Sequence, residues 1–276
     1  QYKDAVAKVT AQDIQRVAQQ YLKPEEFTIV AVGKTADFAD KLKDLGEIKK
    51  LDIAIPQPKQ ETAKADAASL AKGKATLDQI AAAVGGSAKL AAVTDYTQTI
   101  ESELSMQGNK MTVQQVQMWI KPSIFRQEST YPFGKVIAFF DGEKGFIATP
   151  QGERPLEGPF AAQVKGQLFR DYFSLLQSNA VAGRSVNFVK DGQLEINDAS
   201  GGLVNYYYDP ATKLPARIVF SEGGGNAEVT YSNYMDAGGL KVPGKQSIQQ
   251  MGQVTVQNIK EWKINTGLKA EDLSKK

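Results

Sequence analysis

The strongest constraint on this chain lies between Asp95 and Asn179, where short alternating segments give way to one long helical stripe. Tyr96, Ile100, Leu104 and Met106 share one face of a first strand, with Glu101 and Glu103 on the other. The turn Gln107-Gly108-Asn109-Lys110 follows, and Val116, Met118 and Ile120 repeat the alternation. Lys121-Pro122 interrupts the run and Ile124 to Glu128 restarts it. Val136 to Phe140 then reaches the turn Asp141-Gly142-Glu143-Lys144, with Phe146-Ile147-Ala148 beyond it. Period-two patterning punctuated by Gly, Asn, Asp and Pro specifies an antiparallel meander. After a Gly/Pro-rich connection the period lengthens, and Phe160, Val164, Leu168, Tyr172 and Leu176 recur every four residues along one helical stripe. A curved sheet followed by so bulky a stripe predicts one long helix against the sheet's concave side. Trp119 falls on the opposite strand face from Met118 and Ile120, where it either seals a rim or covers the sheet's second face.

The β pattern resumes after Gly183. Val186 and Phe188 pair with Leu194 and Ile196 across the tight turn Asp191-Gly192. Further strands follow at Leu203–Tyr208, Ile218–Phe220 and Val229–Tyr234, and the last lie between Lys245 and Ile264. Upstream, Leu77, Ile80 and Ala81 mark a helix broken by Gly85-Gly86, and a short one runs from Ser87 through Leu90 to Val93. The fold class is α+β, with about ten or eleven strands. That is too many for one flat sheet, which curls into a barrel or splits in two.

The first fifty-six residues read helix, strand, helix, strand. Thr10 fits an N-cap with Asp13 placed for a capping box, and Ile14, Val17, Ala18 and Tyr21 keep helical spacing. Phe27 to Val32 is β-branched and almost continuously apolar, which predicts a strand buried on both faces. Phe38, Leu42 and Leu45 give a second helix with Gly46 at its C′ position, and Ile48 to Ile55 a last strand. So small a unit is marginal alone, so its own upstream half, a second copy or the following domain must complete it. Residues 57–75, rich in Pro, Ala and charge, have linker composition that turns helical near its end. The boundaries are therefore 1–56, 57–75 and 76–276. The chain opens at Gln1 inside a helical pattern and is expected to be a piece of something longer.

Two absences exclude whole reaction classes. With no histidine and no cysteine, the chain forms no Ser-His-Asp triad, no thiol nucleophile and no His- or thiolate-ligated metal site. No cofactor is expected. A net charge of +2, from 33 basic and 31 acidic residues, is too balanced to predict nucleic-acid binding, and no nucleic-acid partner is expected. No apolar run approaches the roughly eighteen residues of a membrane span. Glu101/Glu103 share a solvated strand face and Asp141/Glu143 sit in a turn, so neither pair is placed for acid–base chemistry.

Two resemblances sharpen the picture. Val9-Thr10-Ala11-Gln12-Asp13-Ile14, Tyr21-Leu22, Pro24 and Thr28–Gly33 resemble the C-terminal end of an insulinase/pitrilysin-type zinc peptidase domain. That family's His-x-x-Glu-His motif has no counterpart here, so the resemblance implies ancestry or a missing upstream portion, not peptidase activity. Phe140–Phe146, Tyr208–Pro215, Gly239–Pro243 and Trp262–Asn265 resemble the LolA-like, outer-membrane lipoprotein-sorting group, over a span from Leu77 to Leu273. This second resemblance implies a half-open antiparallel barrel whose helices lid an apolar cavity.

The function expected from this is a non-catalytic periplasmic or envelope-associated binding protein that shields a lipid or an acylated lipoprotein end. The candidate cavity lining is Leu104, Met118, Ile120, Phe140, Phe160, Val164, Leu168, Tyr172 and Leu176, with no catalytic or metal residues. The helix stripe fits ordinary core equally well, and the two readings differ in the free volume beneath it. The alternative function is a non-catalytic C-terminal portion or partner subunit of a zinc peptidase. In that reading the β domain is an interaction module, and residues 1–56 meet a peptidase domain or a second copy.

Overall fold

The computed structural model of the chain describes residues 2–24, 27–33, 41–42, 46–47, 49, 62–106, 109–222 and 225–275. The chain divides into two compact units, Gln1–Ala54 and Ile55–Lys276.

The first unit holds helices α1 (Tyr2–Val6) and α2 (Ala11–Tyr21). Thr10 caps α2 as its sequence requires: its hydroxyl accepts from the Asp13 N–H at 3.2 Å, and Asp13 accepts from the Thr10 N–H at 3.2 Å. The helix forms but buries none of its residues, leaving Ile14, Val17 and Tyr21 exposed. The strand expected at Phe27–Val32 is not formed. Those residues have no regular structure, and Phe27, Ile29, Val30 and Val32 are exposed. A strand is stabilised by its neighbours, and the described residues of this unit supply none. The second helix and closing strand expected here fall, residues 41–42, 46–47 and 49 apart, outside the described residues.

The second unit opens with α3 (Ala67–Val84), which starts inside the segment expected to be linker. Asp66 and Ser69 form a reciprocal cap, with the Asp66 carboxylate accepting from the Ser69 N–H at 2.8 Å and the Ser69 hydroxyl from the Asp66 N–H at 2.9 Å. Helix α3 lies so close to the strand at Val186 that a Cβ on Gly73 would sit 2.2 Å from the Val186 carbonyl oxygen. Gly85 closes α3, and α4 (Ser87–Ala91) follows.

Among the described residues thirteen strands form one sheet, two or three more than the sequence suggests. The first meander is β1 (Asp95–Met106), β2 (Asn109–Ile120), β3 (Ile124–Tyr131), β4 (Gly134–Phe140), β5 (Gly145–Thr149) and β6 (Gly152–Pro155). The second is β7 (Ser185–Lys190), β8 (Gln193–Asn197), β9 (Leu203–Tyr208), β10 (Pro215–Glu222), β11 (Gly225–Ala237), β12 (Leu240–Gln250) and β13 (Gln253–Ile264). Every pairing is antiparallel, and β1 pairs with β13, so the first and last strands join the two meanders at the sheet's centre. Strand β6 hides in the Gly/Pro-rich connection because its residues are exposed and carry no alternation. The turn residues expected from the sequence act here as turns. Asp209 accepts from the N–H groups of Ala211 and Thr212 at 2.9 and 2.7 Å, and Asn265 links to Thr94 and Ala92, tying the end of β13 to the start of β1.

Strands β6 and β7 are the free edges of this open, curved sheet. The chain passes from one edge to the other through α5 (Gly158–Arg170), α6 (Tyr172–Leu176) and a 3₁₀ turn at Ser178–Ala180. The expected single long helix is therefore two. Asp171 has extended ψ (141°), and its carboxylate accepts from the Ser174 N–H at 2.9 Å and so caps α6. One continuous core runs under the helices and includes Leu77 and Ile80 of α3, Phe173 and Leu175 of α6, and Leu194, Ile196 and Tyr206 of the sheet.

Candidate functional site

Directly paired residues of antiparallel strands project to the same face, so register fixes which side chains look inward. Tyr96 pairs with Trp119, Gln98 with Gln117 and Ile100 with Gln115; across the sheet's centre Gln98 pairs with Trp262. The inner set of β2 is therefore Gln115, Gln117 and Trp119. Met118 pairs with Thr97 and Arg126 on the outer face, and Ile120 with Asp95 and Ile124. On that outer side the guanidinium of Arg126 donates to the carbonyls of Leu273 and Lys275 at 2.7 and 2.6 Å, holding α7 (Ala270–Leu273) against β3.

Between this inner face and helices α5 and α6 lies a hollow of about 280 Å³. Tyr96, Trp119, Tyr172 and Trp262 form one wall, and Ile218, Phe220 and Ile248 another. The floor is made of glutamine. Gln98, Gln115, Gln117, Gln127 and Gln257 come from β1, β2, β3 and β13, and Gln246 and Gln250 from β12. Helix α5 adds Gln163, Gln167 and Arg170, which share its polar stripe.

Much of the floor is tied together. Gln115 accepts from the Ser102 hydroxyl at 2.6 Å and donates to Ser129 at 3.2 Å. Gln117 donates to Gln127 at 2.9 Å, and Gln250 to Glu222 at 3.2 Å. Glu222 also pairs with Arg170 at 2.5 Å, while the Arg170 guanidinium lies 3.8 Å from the centre of the Phe220 ring. Burial lowers the Arg170 pKa, and the Glu222 charge opposes that shift. Burial pushes the Asp171 carboxyl up, against the hydrogen bond it accepts from the Tyr96 hydroxyl. The two tryptophans differ. Trp262 donates its indole N–H to the Pro243 carbonyl at 3.0 Å, whereas the buried Trp119 N–H has no partner.

Of the nine residues expected to line a cavity, Tyr172 alone forms its wall. Val164 and Leu176 are buried in the core and Leu168 packs against it. Phe140 is buried on the inner face beside Phe125, its cross-strand partner. Leu104 is half-buried toward the hairpin end of β1, and Phe160 is exposed, with the Arg154 guanidinium 4.9 Å from its ring centre. Met118 and Ile120 lie on the sheet's outer face, because the inward phase of β2 is the polar one. Expecting apolar residues inward fails where the interior is a polar hollow. The signal that locates it is glutamine itself, spaced by two along β2 and by four along α5.

Among the described residues no cluster of three or more acidic side chains gathers to hold a metal ion, and no helix is long and apolar enough to cross a membrane.

No family model and no curated protein matches the chain. Solved structures do. A LolA superfamily protein from Nitrosomonas europaea aligns with a TM-score of 0.52 at 12% identity, over 74% of this chain and 98% of its own. A DUF1329 family protein from Desulfovibrio piger gives 0.50 at 11% identity, over 74% and 99%. A putative outer membrane lipoprotein-sorting protein domain from Vibrio parahaemolyticus gives 0.46 at 15% identity, over 74% and 97%. The peptidase resemblance of the first residues gains no support from these likenesses. At such identities the first two speak for architecture alone, and the architecture of this chain is LolA-like.

Proposed function

We propose that this chain is a non-catalytic binding protein of the bacterial envelope, periplasmic in location, that shields the acylated end of a lipid or lipoprotein. The observation that carries this reading is the hollow between an open, unclosed sheet and the two helices that bridge its edges. A sheet closed into a small barrel fills its interior with side chains, whereas here the roof is a half-exposed helix over a hollow. Its LolA-like architecture and the turn motifs that resemble the lipoprotein-sorting group support the same ligand class. Each methylene taken from water against the apolar wall of the hollow contributes up to about 0.8 kcal/mol, so one acyl chain suffices for useful affinity.

Native mass spectrometry of the full chain purified from bacteria tests this reading. An acylated molecule carried through purification is the expected result. A chain that emerges empty and takes up no added lipopeptide would overturn it.

The alternative, a non-catalytic portion or partner of a zinc peptidase, has one observation in its favour. The apolar side chains of Ile14, Phe27, Val30 and Val32 are exposed, as they would be in a unit that requires a partner. A stoichiometric protein partner in the same spectra, lost on deleting residues 1–54, is the outcome that would favour it.

A further inference from the structure

The character of the floor says what part of a ligand belongs there, and this deepens the reading just given. Hydrocarbon placed against the amides that the floor's own hydrogen bonds leave open, those of Gln98, Gln163, Gln167 and Gln246, would strip them of water and return no hydrogen bonds, an unfavourable exchange for each group so covered. An anionic head fits no better. The Arg170 guanidinium is already engaged by Glu222, and the carboxylates of Glu222 and Asp171 stand in the same wall. A glutamine amide carries both donors and an acceptor without net charge, so it complements neutral groups of the same kind: esters, amides and hydroxyls.

We infer that the hollow reads an uncharged, hydrogen-bonding section of its ligand, with the carbonyls of an ester- or amide-linked acyl group set between the glutamines of the floor and Gln163 and Gln167 of α5. The hydrocarbon beyond the linkage lies against the apolar wall of Ile218, Phe220 and Ile248. Specificity thus resides in the linkage, and the acyl chain adds affinity without selecting the ligand.

The test uses the full chain and its own fluorescence, because Trp119 and Trp262 are its two tryptophans and both line the hollow. Three probes are titrated: a synthetic N-acyl, diacylglyceryl-cysteine peptide, its ether-linked dialkyl analogue of equal chain length, and the neutral trisaccharide maltotriose. The ester- and amide-linked peptide should bind about tenfold tighter than the ether analogue, the equivalent of one or two hydrogen bonds. Replacing Gln163 and Gln167 by Leu should shrink that ratio. These two sit on the half-exposed roof helix, so the variant keeps its fold. Equal affinity for ester and ether probes would overturn the inference and leave the lipid-binding reading intact. Binding of maltotriose with neither lipid probe bound would do the reverse, removing the acyl ligand and keeping the neutral polar site. No binding of any probe would remove both.

Discussion

Helices α5 and α6 are consecutive, separated by the single residue Asp171, and they meet the same sheet in opposite ways. Four of the five residues of α6 are buried, and Phe173 and Leu175 are 0% exposed. Phe173 lies with its ring centre 5.2 Å from that of Tyr96 and 5.7 Å from that of Trp262. Helix α5 buries Val164 and Phe169, leaves Phe160 49% exposed, and turns Gln163, Gln167 and Arg170 toward the hollow. The shorter helix plugs its part of the sheet, and the longer one roofs over a gap. The difference is chemical. Aromatic and aliphatic groups gain by close contact with one another, whereas amides across a cavity do not draw the helix down. Asp171 is the point where plug becomes roof.

The contrast is broken most severely by emptying the plug. Phe173→Ala should cost about 3–5 kcal/mol in urea unfolding, since it leaves a cavity among Tyr96, Tyr172 and Trp262. A loss under about 1 kcal/mol would mean that α6 is no better seated than α5. Next comes the junction. Asp171→Ala removes the cap of α6 and deprives the buried Tyr96 hydroxyl of its acceptor. Together these should cost about 2–3 kcal/mol by the same measurement.

A subtler probe of the junction uses pH. Burial raises the Asp171 pKa above its ordinary value near 3.8. Between that ordinary value and the raised one, the folded state binds more proton than the unfolded state, so stability falls as pH rises through this window. Asp171→Asn keeps an acceptor for Tyr96 and for the cap but does not titrate. The wild type should therefore gain stability relative to the Asn variant as pH is lowered from neutral toward 3.8, with no further relative gain below it. The difference between the two proteins is the quantity to follow. Other carboxylates, such as Asp95 and Glu128, have lowered pKa values and destabilise both proteins alike on acidification. An opposite slope would mean that Asp171 is held mainly by its cationic neighbour Lys121 and the Tyr96 hydroxyl, and not by burial.

The fold was legible where side-chain period reports a buried face against a solvated one. The Asp95–Phe146 meander, the Asp191-Gly192 hairpin and the Gly85 break all follow local rules of strand, turn and cap. Even the Thr10 capping box appears as written, because it depends on four residues and nothing else. Phe27–Val32 shows the limit of such reasoning: an apolar, β-branched run names a strand only if a neighbouring strand exists. The site was less legible. In β2 both strand faces alternate plausibly, and the apolar phase of Met118 and Ile120 looked inward by rule although the register places Trp119 and Gln117 there. The glutamines gather from five strands and a helix, so their meeting depends on sheet order, which no local pattern contains. The helix break was missed for a related reason. The stripe from Phe160 to Leu176 runs in phase through Asp171, and the half-buried carboxylate there is made tolerable by partners the stripe does not reveal: the Tyr96 hydroxyl, the Ser174 N–H and the nearby Lys121.

The smallest effect bears most directly on whether α5 is a roof. Gln163 is exposed and Gln167 half-buried on this helix, and neither side chain fills core. Alanine is the better helix former, and truncating a group that faces water or a hollow forfeits little contact. The double change Gln163→Ala, Gln167→Ala should therefore shift stability by no more than about 0.5 kcal/mol in either direction. In the same urea experiment Phe173→Ala loses several times as much, and that ratio is the quantitative form of the contrast between the two helices. Should the double variant instead lose about 2 kcal/mol, the amides would be structural members of a packed interface. The hollow beneath them would then be a seam between α5 and the sheet and not a place kept for a ligand.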